Sequence, residues 1–150
     1  MEYAAVIGLG NIAKRHRSNI KIIFPGVKVL AMSASGRIPK STIENVDEFV
    51  DDISTIISKK VNFVIVTSPS TCHAKHTVPL LEAGIPVLIE KPVTASSTDA
   101  EWILKTNLKP NLSSNIAIGY CLRYLPSTIL MKELLKQNII GNVHNVFTNV

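Results

Sequence analysis

Four short segments of this chain carry residues suited to holding a phosphorylated ligand and doing chemistry beside it. The first is Gly8-Leu9-Gly10-Asn11-Ile12-Ala13. Two glycines one residue apart, with a small side chain three positions later, let the backbone turn tightly and present its N–H groups to a pyrophosphate. Gly8 permits the turn and Gly10 lets phosphate approach. Asn11 and Ile12 open the following helix, whose N-terminal amides carry partial positive charge, and Ala13 lets that helix pack closely. A tight turn with no ligand is the alternative reading of the same residues. The Gly-Lys-Ser/Thr ending of a nucleoside triphosphatase loop is absent from this segment.

The second segment, Ala31-Met32-Ser33-Ala34-Ser35-Gly36-Arg37, closes a second apolar run. A carboxylate at this place accepts from the ribose 2′-OH of NAD, whereas a cation and hydroxyls suit the 2′-phosphate of NADP. No acid stands here, and Ser35 and Arg37 supply hydroxyl and guanidinium, so the segment favours NADP over NAD. The alternative is a solvated Arg37 on a surface loop.

The third segment is Thr67-Ser68-Pro69-Ser70-Thr71-Cys72-His73 and the fourth is Glu90-Lys91-Pro92, each at the carboxyl end of an apolar run. Ligands of open α/β sheets bind over such ends, so Thr67, Ser68, Pro69, His73, Glu90 and Lys91 should face one crevice. Lys91 would offer a mobile ammonium to a substrate oxygen, aimed by Pro92 through a backbone that can adopt a cis bond. A surface Glu–Lys pair before a turn is the bland alternative. Cys72, His73 and His76 lack a further His or Cys at metal-ligand spacing, so no metal is expected and Cys72 reads as a packed thiol.

The elements that must position these groups follow from hydrophobic periodicity. Apolar runs at Tyr3–Ile7, Val27–Met32, Val61–Val66, Ile85–Ile89 and Asn115–Gly119 read as strands buried on both faces. Helices are predicted over Asn11–Ile23, from an Asp52 cap through Ile57, over Ser70–Ala83 to Gly84, over Ser97–Asn107, and over Leu122–Asn138 with Leu130, Leu134 and Leu135 inward. Ser41–Val50 reads as irregular or at most a short strand, and Val143–Val150 as a strand. Strands alternating with helices imply an α/β fold: a doubly wound, mostly parallel sheet with helices on both faces. Residues 1–120 are expected to form its nucleotide-binding part, and residues 121–150 a linking helix and the first strand of a second domain, as expected of a piece of a longer protein.

Composition excludes several classes. With 150 residues, 46% hydrophobic and 18% charged, the chain is too apolar for disorder, and no apolar run is long enough to span a bilayer. Sixteen Lys and Arg against eleven Asp and Glu give +5, a mixed-sign surface rather than that of a nucleic-acid binder. The cluster Lys14-Arg15-His16-Arg17 reads as the solvated face of the first helix, with aromatic residues at 5% to stack bases. Two cysteines and a start without a basic, apolar leader lead to the expectation of a cytoplasmic protein.

Gly8-x-Gly10-x-x-Ala13, Ser68-Pro69-x-x-x-His73, Leu81-Glu82-Ala83-Gly84 and Val87-x-x-Glu90-Lys91-Pro92 together resemble the Gfo/Idh/MocA oxidoreductases, the glucose–fructose oxidoreductase and inositol dehydrogenase family. The resemblance continues through Gly119-Tyr120-x-x-Arg123-Tyr124-x-Pro126 and Gly141-Asn142-Val143. It implies a Rossmann domain followed by an α/β domain, and hydride transfer between nicotinamide and a carbon bearing a sugar or cyclitol hydroxyl. It further implies that Lys91 contacts the substrate hydroxyl and that Ser68, His73 and Arg123 line the cofactor cleft. The family's acid–base His comes from a later helix, and its copies associate through the second-domain sheet. A Rossmann module that binds nucleotide without turnover is the competing reading.

Overall fold

The structure, a computed structural model, describes residues 1–108 and 116–148. Six strands, β1 Tyr3–Ile7, β2 Lys28–Met32, β3 Glu48–Val50, β4 Val64–Val66, β5 Val87–Ile89 and β6 Ile116–Ile118, form one sheet. Its order is β3-β2-β1-β4-β5-β6, with every pairing parallel. Ala5 of β1 stands opposite Leu30 on one side and Val64 on the other.

Alternate residues of a strand face opposite sides, and here each side meets its own apolar cluster. Ala4, Val6, Val29 and Ile65 face Ala13 and Ile20 of α1 (Asn11–Ile23). Ala5, Ile7, Leu30, Val64, Val66, Val87 and Ile89 face the other side. There they are covered by Ile56 of α2 (Ile53–Ser58), Ala74, Val78 and Leu81 of α3 (His73–Glu82), and Ile103 of α4 (Ser97–Asn107). Both faces being covered is what lets the strands be apolar throughout. The predicted doubly wound parallel sheet is therefore present.

Local chemistry sets the helix ends. The Asp52 carboxylate accepts from the Ser54 amide at 2.6 Å and starts α2, and the Ser96 hydroxyl accepts from the Asp99 amide at 3.1 Å and starts α4. Gly84, at φ +73°, ends α3.

Several expected elements differ. The Ser70–Ala83 helix divides into a 3-10 turn, Ser70–Cys72, and α3. The Leu122–Asn138 helix likewise divides into a 3-10 turn, Cys121–Tyr124, and α5, Pro126–Lys136. Proline clashes with a helical residue before it, so Leu125 is extended at φ −66°, ψ 137° and Pro126 becomes the first residue of a new helix. Residues 143–148 form no strand, since no ladder partner exists for them among the described residues; residues 149 and 150, like Asn115 before β6, lie outside those described. Leu130, Leu134 and Leu135 are exposed rather than inward.

The basic cluster on α1 is not uniformly solvated. Between β2 and β3 the chain forms no helix, and α1 anchors that segment itself. Arg17, 1% exposed, donates from Nε to the Glu44 carbonyl at 3.2 Å. Asn45 donates to the Ser18 hydroxyl at 3.0 Å, and Lys21 to the Asp47 carboxylate.

The chain forms two compact units, Met1–Gly119 and Tyr120–Val150. The first contains the whole sheet and α1 to α4; the second contains α5 and the turn before it.

Candidate functional site

The strand order reverses between β1 and β4, from which the sheet grows in opposite directions, and such a point opens a crevice above the strand ends. Gly8 ends β1 there. Its amide donates to the Met32 carbonyl at 2.8 Å, and its φ of +120° is a conformation only glycine takes without strain. Thr67 closes the other wall, donating from its amide at 2.7 Å and from Oγ1 at 2.9 Å to the Ile7 carbonyl.

Gly10 differs in kind. Its φ of −73° suits any residue, and a Cβ built on it meets no atom within 4 Å. The protein's own packing thus gives no reason for a glycine here, whereas a ligand lying against the backbone would. Gly10 caps α1 without a side-chain hydrogen bond, and no acidic residue occupies the first turn. The first helical amides, those of Asn11 and Ile12 among them, are left for an outside acceptor. Ala13 is fully buried against the sheet. The loop fits a dinucleotide pyrophosphate on each of these counts.

Two buried histidines brace the β4 side. Ser68 is 6% exposed and its hydroxyl lies 2.8 Å from His76 Nδ1. Burial, then the Lys75 charge, push the His76 imidazole below its ordinary value, against a hydrogen bond with the Ala34 backbone. The Ala34 bond raises the His76 value, so the ring donates there; Nδ1 of the neutral ring is then its acceptor, and the Ser68 hydroxyl donates to it. His73 is 2% exposed, with Nε2 2.7 Å from the Ser68 carbonyl and Nδ1 3.0 Å from the Val93 carbonyl. Carbonyls only accept; a neutral ring serves one of them and an imidazolium both. His73 and the Ser68 hydroxyl are thus committed to holding two loops together, while Pro69 is exposed.

At the end of β5 the Glu90 carboxylate binds in two directions. Oε1 lies 2.7 Å from His16 Nε2 of α1, and Oε2 accepts the Lys91 amide at 3.1 Å. Gly119 packs beside it: an added Cβ would stand 3.1 Å from Glu90 Cδ. Lys91 is exposed and the Lys91–Pro92 bond is cis. Sequence reasoning placed His16 on a solvated face. The missed signal is its position one residue before Arg17, at the border of the Ala13, Arg17, Ile20 stripe that α1 buries.

Beyond β2 and β3 a cavity of about 150 Å³ is lined by Ser35, Gly36, Asp51, Asp52, Lys75 and His76, among others. Arg37 is exposed and lies outside that lining. The cation on the wall is Lys75. Asp52 is held below the usual carboxylate range by hydrogen bonding to Ser54. Arg123 belongs to the second unit, in the turn before α5, and is exposed. Among the described residues no group of three or more His, Cys, Asp or Glu could hold a metal ion, and no helix is long and apolar enough to cross a membrane.

Residues 3–112 match the family described as "Oxidoreductase family, NAD-binding Rossmann fold", GFO_IDH_MocA. The chain belongs to this family. It is 32% identical over 152 residues to inositol 2-dehydrogenase 1 of Saccharopolyspora erythraea, covering 96% of this chain and 45% of that protein. It is 29% identical over 154 residues to glucose-6-phosphate 3-dehydrogenase of Bacillus subtilis, covering 97% and 41%. The crystal structure of myo-inositol dehydrogenase from Lactobacillus casei, in complex with NAD(H) and myo-inositol, shares the fold with a TM-score of 0.80 at 20% identity, over 94% of this chain and 43% of that one. This Gfo/Idh/MocA chain spans about two fifths of the length of the curated relatives it matches.

Proposed function

We propose that this chain supplies the nicotinamide-dinucleotide site of an oxidoreductase that moves hydride to or from a carbon bearing a sugar or cyclitol hydroxyl. The observation that carries the reading is the glycine loop: Gly8 set close against Thr67 for the turn, Gly10 bare with open space above it, and an uncapped α1 behind them. Gly8, Gly10, Asn11 and Ile12 would hold the pyrophosphate. Thr67, Ser68, Pro69 and Glu90 form the crevice wall, and His73 braces it from behind. When bound, the dinucleotide supplies the hydride acceptor or donor. Lys91, at the mouth, would donate a hydrogen bond to the substrate oxygen and stabilise the charge that gathers on it as the C–H bond breaks. The Tyr120–Val150 unit, which carries Arg123, would begin the substrate domain.

For the 2′ position, the lack of an acid closing β2 and the presence of Ser35 and Lys75 in the cavity support NADP. Asp51 and Asp52 on the same wall support NAD. In either case the partner is a small sugar-like molecule, and full-length copies would pair through the second domain. Cys72 and Cys121 are both free thiols, in keeping with a cytoplasmic protein.

Thermal unfolding of the 150-residue chain with NADPH, NADH or neither tests this, because a ligand of the native state raises the midpoint. A larger rise with NADPH supports the 2′-phosphate reading and a larger rise with NADH replaces it. No rise with either removes the dinucleotide site. For the full-length form, turnover unaffected by Lys91→Ala would remove the proposed role of Lys91.

A further inference from the structure

We propose that His16 is a positioning residue for Lys91, acting through the Glu90 carboxylate. The proposal rests on the dinucleotide-dependent reading above for its purpose, but its geometry stands apart from that reading. An ionised carboxylate only accepts, so His16 Nε2 carries the proton of the 2.7 Å bond to Glu90 Oε1. The two side chains are 16% and 13% exposed, shielded enough for the bond to hold one geometry. Gly119 makes room for this arrangement, because the carboxylate fills the space a side chain there would need. With Oε1 held from α1, Oε2 is aimed at the Lys91 amide 3.1 Å away. The main chain that carries the Lys91 ammonium is thereby tied to the helix whose first turn forms the glycine loop. One carboxylate therefore sets the spacing between the phosphate-facing helix end and the lysine at the crevice mouth. Residues 16 and 90 are 74 positions apart, and the chain between them supplies no other side-chain bond from α1 to the Glu90 loop among those observed.

Amide exchange of the 150-residue chain, read residue by residue by NMR, tests the link with no substrate present. His16→Ala should speed exchange of the Lys91 amide about tenfold and leave the Glu90 amide, bonded to the Val66 carbonyl, unchanged. His16→Gln places an amide nitrogen near the Nε2 position and should restore protection. His16→Asn is too short to reach and should not. Lys91 exchange unchanged in His16→Ala, or Glu90 and Lys91 amides speeding up together as in general loosening, overturns the proposal. In the full-length protein with NAD and myo-inositol as probes, His16→Ala should lower kcat about tenfold with KM for NAD unchanged, and His16→Gln should recover most of it. An unchanged kcat beside a changed Lys91 amide overturns the positioning role. If the full-length protein with native His16 does not oxidise the probe, the functional reading fails, and the exchange result still decides whether His16 positions Lys91.

Discussion

Gly8 lies directly against Thr67: a Cβ on Gly8 would stand 2.8 Å from the Thr67 carbonyl oxygen. The two residues end β1 and β4, neighbouring strands on either side of the point where the sheet order reverses. Their contact fixes the floor of the crevice.

Gly8→Ala and Gly10→Ala should separate folding from binding. At Gly8 the left-handed backbone and the Thr67 wall together cost roughly 2–4 kcal/mol of stability, measurable by urea unfolding. At Gly10 neither obstacle exists, so stability should stay within about 0.5 kcal/mol while NADH or NADPH affinity falls. A Gly10→Ala variant that binds both nucleotides like the parent chain would place the pyrophosphate elsewhere.

His76 should make stability depend on pH. Its folded value lies below the ordinary value near 6.5, mainly through burial. The unfolded chain therefore takes up a proton first as pH falls, and the His76 contribution, complete above that range, shrinks through it. Melting curves from pH 8 to 5 should show the midpoint dropping. In His76→Asn the midpoint should start lower and fall less steeply; parallel curves would assign the titration to another group.

His73→Leu should cost more than its change in volume suggests. The substitution keeps apolar bulk but removes the ring N–H from between the Ser68 and Val93 carbonyls. Leaving such an acceptor unpaired costs roughly 1–3 kcal/mol. Chemical unfolding measures the loss directly, and a change under about 0.5 kcal/mol would mean that water replaces the bond.

Arg17→Met should not weaken the fold. Arg17 is buried with one bond, from Nε to a carbonyl, and its Nη1 has no partner. Burial pushes its pKa down, with the Glu44 charge opposing. An apolar chain of similar length removes a desolvation cost of several kcal/mol, which offsets the roughly 1–3 kcal/mol of leaving the part-buried Glu44 carbonyl without its donor. A midpoint falling by several degrees would show that the guanidinium carries an attraction beyond these contacts.

The sheet and most helices were legible because they are written locally. The Ser97–Asn107 helix has the bounds its sequence predicts, and the structure adds that the Ser96 hydroxyl caps it. The break at Leu125 is equally local, carried by Pro126, but the leucine spacing runs on across it and predicts one continuous helix. The inward leucines of α5 were misread because periodicity reveals an apolar face but not what stands opposite it. At the site, the glycine loop and the Glu90-Lys91-Pro92 turn lie in short runs and could be found. The partners that complete them could not. His16 reaches Glu90 across 74 positions, and Lys75 joins Ser35 and Asp51 in one wall only after three elements have packed. A charged side chain on a helix is ordinarily solvated, so the helical spacing of Ala13, Arg17 and Ile20 is the one local sign that Arg17 and its neighbour His16 turn inward.

β1 is made first and finishes in the centre of the sheet, hydrogen-bonded on both edges. Its first partner, β2, follows within some twenty-five residues, but β4 is 59 residues further on, as Ala5 pairs with Val64. During synthesis, one edge of this buried central strand waits uncovered for roughly 3–12 s at ordinary elongation rates. That interval is when the nascent chain is most prone to pair with a neighbour instead of with itself. Slow codons between residues 50 and 64 would lengthen this exposure, and would be expected to lower the yield of folded protein without altering the stability of the molecules that do fold.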